Sequence, residues 1–220
     1  MCPCQNMNRV RVKICGMTRN EDVKAAIAAG ADAIGFVFTE SPRRISVDTA
    51  NRLSGCIPEG VLCVGLFLDT DRSEIDRVIN SVRLDMLQFH GRESEQECSI
   101  FNMPWLKAVA MDSAESVQQA ERDYPGAMGL LLDSHTLGKR GGSGRIFDWS
   151  LTRPVTKPVW LAGGLDAHNV AQAIRTVRPF AVDVSSGVEV APGIKDAARI
   201  STFIKAVRAV EYEISNVSQS

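Results

Sequence analysis

Short apolar runs alternate with longer amphipathic segments along almost the whole chain. Short apolar runs predict buried strands, and apolar residues spaced three or four positions apart predict helices. Strict alternation of the two is typical of a parallel sheet whose strands are joined by crossover helices. The pattern predicts eight strands, at residues 10–15, 33–38, 61–68, 86–89, 105–110, 129–133, 159–162 and 181–184.

Amphipathic segments lie between most of these strands. They predict helices at residues 21–29, 47–54, 73–81, 94–101, 113–123 and 167–177, and a final long helix at about 195–213. The segment at 147–155 is the weakest helix prediction, because it is short and contains Pro154. Eight such units in 220 residues predict an α/β fold of one domain, the (β/α)8 TIM barrel.

We expect the catalytic barrel to span residues 10–213, between a flexible N-terminal extension at 1–9 and a polar C-terminal tail at 214–220. No apolar run reaches the roughly 18 residues of a membrane span, and the first eight residues do not resemble a signal peptide. Lys and Arg number 25 against 26 Asp and Glu, so the charge indicates neither a nucleic-acid nor a membrane partner. A cytoplasmic protein is predicted, either monomer or homodimer.

Six cysteines at irregular spacing, with no export signal, predict reduced thiols. Cys2 and Cys4 form a C-x-C pair, but no second cysteine pair or histidine cluster lies near them in sequence. We therefore predict no metal site and no cofactor. Three others lie in or beside apolar runs and are expected to fill the core, namely Cys56, Cys63 and Cys98.

Two strands end in small residues that leave backbone N–H groups available. The last strand stops at Ser185, Ser186 and Gly187, and the strand before it stops at Gly163 and Gly164. Exposed backbone N–H groups near a helix N-terminus bind phosphate well, and (β/α)8 barrels often bind phosphate with the loops after strands 7 and 8. These two loops are predicted to form a phosphate site.

A third glycine-rich segment, at 138–145, contains Gly142 and Ser143 among three basic residues. Alone it could equally be an exposed surface connection. Together with the two loops above, it is better interpreted as a further phosphate-contacting element that can open and close.

Reactive side chains end two strands that are well separated around the predicted ring. Cys15 ends strand 1, and Asp133 ends strand 6. Active sites of these barrels lie at the carboxyl ends of the strands, so the two groups would approach a ligand from opposite sides. A thiolate base and a carboxylic acid so placed suit a proton-transfer enzyme. Cys15 would need a positive neighbour such as Lys13, and strand 8 would bring Asp183 close.

Each of these residues also has a structural interpretation. Cys15 could simply be a small strand residue, and Asp133 could cap the segment that follows. Arg43, after strand 2, could bind a carboxylate through two hydrogen bonds, or it could be a solvated charge. His90, at the end of strand 4, could contact a ligand or be a hydrogen-bonded structural residue. Position in the sequence leaves these alternatives open.

The chain closely resembles the phosphoribosylanthranilate isomerase family of tryptophan biosynthesis. The resemblance extends over about residues 10–210. Phe89 stands where the family pattern leads us to expect an aliphatic residue. The matching segments are 13–18, 35–38 with 41–43, 88–91, 131–133, 141–144 with 147–149, 161–165, and 183–189 with 192–193 and 195–196.

The resemblance implies an Amadori rearrangement of N-(5-phosphoribosyl)anthranilate to 1-(2-carboxyphenylamino)-1-deoxyribulose 5-phosphate. It implies that Asp133 protonates the ring oxygen and that Cys15 removes the proton from sugar carbon 2. Arg43 would bind the anthranilate carboxylate, and Asp183 would assist around Cys15. Backbone amides would hold the phosphate around Gly142, Ser143, Gly163, Gly164, Ser185 and Ser186.

Two other functions remain as alternatives. One is a related sugar-phosphate isomerase of the histidine-pathway type, which favours a carboxylate where this chain has Cys15. The other is a non-catalytic barrel that binds a phosphorylated metabolite. Such a barrel would retain Ser185, Ser186 and Gly163 without needing both Cys15 and Asp133.

Overall fold

The computed structural model describes residues 9–113, 115–134, 147–152 and 154–217. Eight parallel strands follow one another in chain order around a closed barrel, and the last strand pairs with the first. The predicted single-domain (β/α)8 barrel is therefore confirmed. The strands are β1 Arg11–Cys15, β2 Ala33–Val37, β3 Leu62–Phe67, β4 Met86–Phe89, β5 Trp105–Ala110, β6 Gly129–Asp133, β7 Val159–Leu161 and β8 Ala181–Val184.

Helices pack around the outside of the barrel, and a short antiparallel hairpin follows β8. The helices are α1 Asn20–Ala29, α2 Val47–Ser54, α3 Arg72–Ser81, α4 Glu95–Ser99, α5 Ser116–Asp123, α6 Val170–Val177 and α7 Ala197–Val217. The hairpin strands are β9 Glu189–Ala191 and β10 Ile194–Lys195. Two short 3-10 helices complete the description, at Trp149–Leu151 and Ser186–Val188.

Several helix ends differ from the sequence prediction. Helix α6 begins at Val170 rather than near 167, because the Asp166 carboxylate accepts the backbone N–H groups of His168 and Asn169 and stabilises a turn there. The weak prediction at 147–155 corresponds to only one 3-10 turn. Helix α7 continues beyond Glu213 to Val217, so the first residues of the predicted tail are helical. The predicted domain boundaries otherwise stay predictions, and residues 1–8 lie outside the described residues.

Side chains alternate between the two faces of each strand, as the period of a β-strand requires. On β1, Val12 and Ile14 join the core between barrel and helices, whereas Lys13 and Cys15 face the barrel interior. The lower interior is filled by apolar side chains, namely Ala33, Val64, Met86, Leu106, Ala108, Leu131, Trp160, Ala162 and Ala181. Polar groups on the inward face are therefore left at the carboxyl ends of the strands.

Within the described ranges, no helix is long and apolar enough to cross a membrane.

Candidate active site

A cleft opens at the carboxyl ends of the barrel strands. Its volume is about 830 Å³, counting the part open to solvent. Most of the predicted site residues line it, namely Cys15, Arg43, Asp133, Gly163, Gly164, Asp183, Ser185 and Ser186. Gly142 and Ser143 lie outside the described residues, so their positions stay predictions.

Cys15 lies beside a buried ion pair formed by the two strands that close the barrel. Lys13 and Asp183 are register partners on β1 and β8, and Lys13 Nζ donates to Asp183 Oδ2 at 2.8 Å. Gly35 on β2 leaves room for this arrangement, because a Cβ there would lie 2.9 Å from Cys15 Sγ. Barrel closure therefore brings together a thiol, an ammonium group and a carboxylate.

Burial raises the pKa of Cys15, although Lys13 acts in the opposite direction. The expectation that Lys13 would favour the thiolate is correct in sign, but it is outweighed. Asp183 contributes to this result, because its carboxylate also raises the pKa of Cys15 and is the ion-pair partner of Lys13. The resting site therefore holds Cys15 mainly as a thiol at neutral pH.

Asp133 is the last residue of β6, and its side chain lines the cleft. Its Oδ2 lies 3.4 Å from Nε2 of His90, which follows β4. The other ring nitrogen of His90 lies 3.2 Å from the side-chain amide nitrogen of Gln88. Both imidazole nitrogens thus have partners within the cleft, and His90 is a cleft residue rather than a surface one. It contacts the carboxyl group that the sequence singles out as the acid.

The loops after β7 and β8 approach each other at one end of the cleft. Gly163 and Gly164 have φ angles of +82° and +66°, a left-handed backbone conformation that residues other than glycine rarely adopt. The Ser186–Val188 3-10 helix follows β8 directly. Among the donors in these two loops, the backbone N–H groups of Gly163, Gly164, Ser186 and Gly187 meet no acceptor among the described residues. These donors form the arrangement that an anion requires.

Gly187 does not line the cleft but packs behind it. A Cβ at this position would overlap the backbone carbonyl oxygen of Leu165, in the loop after β7. We predict that Gly187→Ala separates the two loops, weakens inorganic phosphate binding about 10-fold and lowers the free energy of unfolding by about 1–3 kcal/mol. Phosphate titration calorimetry and thermal unfolding measure the two effects.

Gly55→Ala is the matched control for that substitution, because its Cβ would make only ordinary contacts. Unchanged phosphate affinity in Gly187→Ala would show that the close approach of the loops does not matter for anion binding.

Arg43 reaches the cleft from the loop after β2, but two of its donors are already engaged. Its Nε and Nη2 donate to the two carboxylate oxygens of Glu189, at 2.8 and 2.7 Å. We expected this paired geometry for a ligand carboxylate, whereas within the protein Arg43 makes it with Glu189. A ligand carboxylate would therefore meet the remaining donors, chiefly Nη1.

Two buried charged residues of the hairpin, Glu189 and Lys195, had no role predicted from the sequence. Lys195 Nζ donates to Glu189 Oε1 at 2.7 Å and to the carbonyl and hydroxyl oxygens of Ser185, each at 3.2 Å. One available signal was the opposite charges on either side of the Pro192–Gly193 turn. A hairpin would pair them, as the observed register of Lys195 with Glu189 does.

Comparison with known proteins identifies relatives over most of the chain. The family described as N-(5'phosphoribosyl)anthranilate (PRA) isomerase matches residues 12–206. An N-(5'-phosphoribosyl)anthranilate isomerase from Pseudomonas putida (strain W619) is 50% identical over 204 residues, which cover 92% of this chain and 99% of that protein.

Two solved structures extend the comparison to three dimensions. One is a phosphoribosyl anthranilate isomerase in complex with reduced 1-(o-carboxyphenylamino)-1-deoxyribulose 5-phosphate, with a TM-score of 0.78 and 38% identity over 91% of this chain and 99% of that one. The other shows monomers of a dimeric phosphoribosylanthranilate isomerase from Thermotoga maritima, with a TM-score of 0.78, 38% identity and the same coverage.

Proposed function

This chain belongs to the N-(5'-phosphoribosyl)anthranilate isomerase family, and we propose that Cys15 and Asp133 are the base and acid of its reaction. The reaction is an aldose–ketose isomerisation in tryptophan biosynthesis. It converts N-(5-phosphoribosyl)anthranilate to 1-(2-carboxyphenylamino)-1-deoxyribulose 5-phosphate. The observation that carries the proposal is that β1 and β6 present Cys15 and Asp133 to the same cleft, where backbone N–H groups after β7 and β8 meet no acceptor in the described part of the chain.

The chemistry needs one proton delivered and one removed. Asp133 protonates the ribose ring oxygen as its bond to carbon 1 breaks, and the anilino nitrogen supplies the electron pair that forms the iminium. Cys15 then removes the proton from carbon 2, which gives an enaminol that tautomerises to the ketone. Carbon 1 is reduced and carbon 2 oxidised within one molecule, so side chains alone can supply the acid and base.

The phosphate is held by backbone N–H groups at the β7 and β8 loops, with Gly142 and Ser143 proposed to complete the site. Support comes from the unengaged donors there and from the phosphate of the ligand bound to the solved relative. Asp183 is proposed to assist beside Cys15, because its Oδ1 is buried without a hydrogen-bond partner while Oδ2 holds Lys13. A substrate hydroxyl would satisfy that oxygen.

Arg43 is proposed to bind the anthranilate carboxylate. We predict that Arg43→Ala raises KM for the substrate by about 10- to 100-fold, because it removes charge-assisted hydrogen bonds, while kcat changes much less. Steady-state kinetics with purified protein give both values. Arg44→Ala is the matched control, since Arg44 is exposed, forms an ion pair with Glu74 and does not line the cleft. An unchanged KM in Arg43→Ala would refute this role.

We further propose a cytoplasmic enzyme, acting as a monomer or homodimer. The decisive test of function is a fluorescence assay that follows the loss of phosphoribosylanthranilate with purified protein. No turnover, together with binding of simple phosphates, would favour the non-catalytic barrel. Turnover of only a histidine-pathway type substrate would favour the other isomerase.

A further inference from the structure

Beyond Cys15 and Asp133, we propose that Glu189 and Lys195 are positioning residues for the two ends of the substrate. Glu189 holds Arg43 ready for the carboxylate, and Lys195 holds Ser185 at the start of the phosphate loop. This inference rests on the proposed function, since it assumes a ligand that carries a carboxylate at one end and a phosphate at the other.

The side-chain carboxylate of Glu189 accepts four hydrogen bonds from three residues. Its Oε1 accepts from Arg43 Nε at 2.8 Å, Lys195 Nζ at 2.7 Å and the backbone N–H of Gly193 at 3.1 Å. Its Oε2 accepts from Arg43 Nη2 at 2.7 Å. The side chain is 4% exposed. A carboxylate so enclosed can hold the guanidinium in one orientation.

Lys195 extends this network to the other end of the cleft. Its side chain is fully buried, and Nζ contacts both Ser185 oxygens as well as Glu189. Arg43 lies after β2 and Ser185 after β8, so the chain of hydrogen bonds joins loops from different strands across the first strand of the barrel. Both terminal residues line the cleft, whereas the linking groups are buried behind it.

The charges of this network also suit an anionic ligand. Two cations, Arg43 and Lys195, share the single negative charge of Glu189, which leaves one positive charge in excess. Burial lowers the pKa of Lys195, and Glu189 is the main group that opposes this shift. The hydrogen bonds from Lys195 to Ser185 do not involve Glu189, so removing the charge of Glu189 would release Arg43 and leave those bonds in place.

Arginine side chains carry substantial rotamer entropy, which a ligand must otherwise overcome when it binds. Contact with Glu189 reduces that cost before the substrate arrives. Loss of the contact should therefore weaken recognition of the carboxylate end selectively. A merely structural role would instead lower stability and weaken both ends together.

The test compares Glu189→Gln with wild type on two probes. We expect KM for phosphoribosylanthranilate to rise about 10-fold and kcat to fall less than about threefold, with inorganic phosphate affinity within about twofold of wild type. Glu74→Gln is the control, because it weakens the exposed ion pair of Arg44. Glu189→Asp, which keeps the charge at a shorter reach, should give an intermediate KM and serves if Glu189→Gln does not fold.

A double-mutant cycle identifies the route of the effect. If Glu189 acts through Arg43, Glu189→Gln should change KM by less than about twofold in the Arg43→Ala background. Additive effects, an unchanged KM in Glu189→Gln, or an equal loss of phosphate affinity would each overturn the role of Glu189.

Lys195→Met tests the other half, and we expect it to weaken inorganic phosphate binding at least about fivefold. Unchanged phosphate affinity would overturn the role of Lys195. Failure of the proposed function is distinguishable from these results, because wild-type protein itself would then not convert phosphoribosylanthranilate.

Discussion

Replacing Asp133 with asparagine should lower kcat at least about 100-fold, because an amide of the same shape cannot deliver the proton that opens the ribose ring. Inorganic phosphate binding should be retained, since its proposed donors are backbone N–H groups after β7 and β8 and do not include Asp133. Fluorescence kinetics report the loss of turnover, and calorimetry reports the phosphate affinity.

The control for this variant is Asp112→Asn, since Asp112 follows β5 but is exposed outside the cleft. If Asp133→Asn kept near-full activity, another group would have to protonate the ring oxygen. His90, which lies 3.4 Å from Asp133, would then be the first residue to consider.

Replacing Cys15 with alanine should also lower kcat at least about 100-fold, because it removes the group proposed to take the carbon 2 proton. Phosphate binding should again be retained. Cys56→Ser is the control. The expectation that Cys56 fills the core is wrong, because this thiol is exposed, and it does not line the cleft. Near-full activity in Cys15→Ala would refute the assignment of the base.

The raised pKa of Cys15 also predicts how the activity changes with pH. The thiolate is the reactive form, so kcat/KM should rise as the pH increases, and the fraction of thiolate in the free enzyme should stay low below the ordinary thiol pKa of 9.0. The difference in ultraviolet absorbance between wild type and Cys15→Ser, followed through a pH titration, isolates this thiolate from the other cysteines. A substantial thiolate signal at neutral pH would contradict the burial argument.

Much of the site could be predicted because it depends on local rules. A strand exposes alternate residues to the same face, and a closed barrel of parallel strands gathers all carboxyl ends at one opening. Cys15 and Asp133 are the last residues of their strands, and Asp183 is the last but one of β8. All three lie on the inward face, so their common cleft follows from strand order. The glycines and serines after β7 and β8 were recognisable for the same reason.

The partners of Arg43 could not be predicted in this way. Glu189 lies 146 residues away in sequence, on a hairpin whose path over the barrel opening depends on how the β8 loop packs. The sequence showed an arginine near the site, but not which of its hydrogen-bond donors were already engaged.

The start of α6 is set by a local contact instead, in which the Asp166 carboxylate accepts from the backbone that follows it.

The amino-acid sequence by itself determined the barrel, its strand order and the residues that end each strand, because hydrophobic periodicity acts over a few neighbouring positions. Only the tertiary structure decided the ionisation of Cys15 and the hydrogen bonds of Glu189 and Lys195. Desolvation and ion pairing depend on atoms contributed by several distant segments at once. Lys13 illustrates the difference. The sequence places it two residues from Cys15, but it does not show that burial of the thiol raises the pKa of Cys15 by more than the charge of Lys13 lowers it.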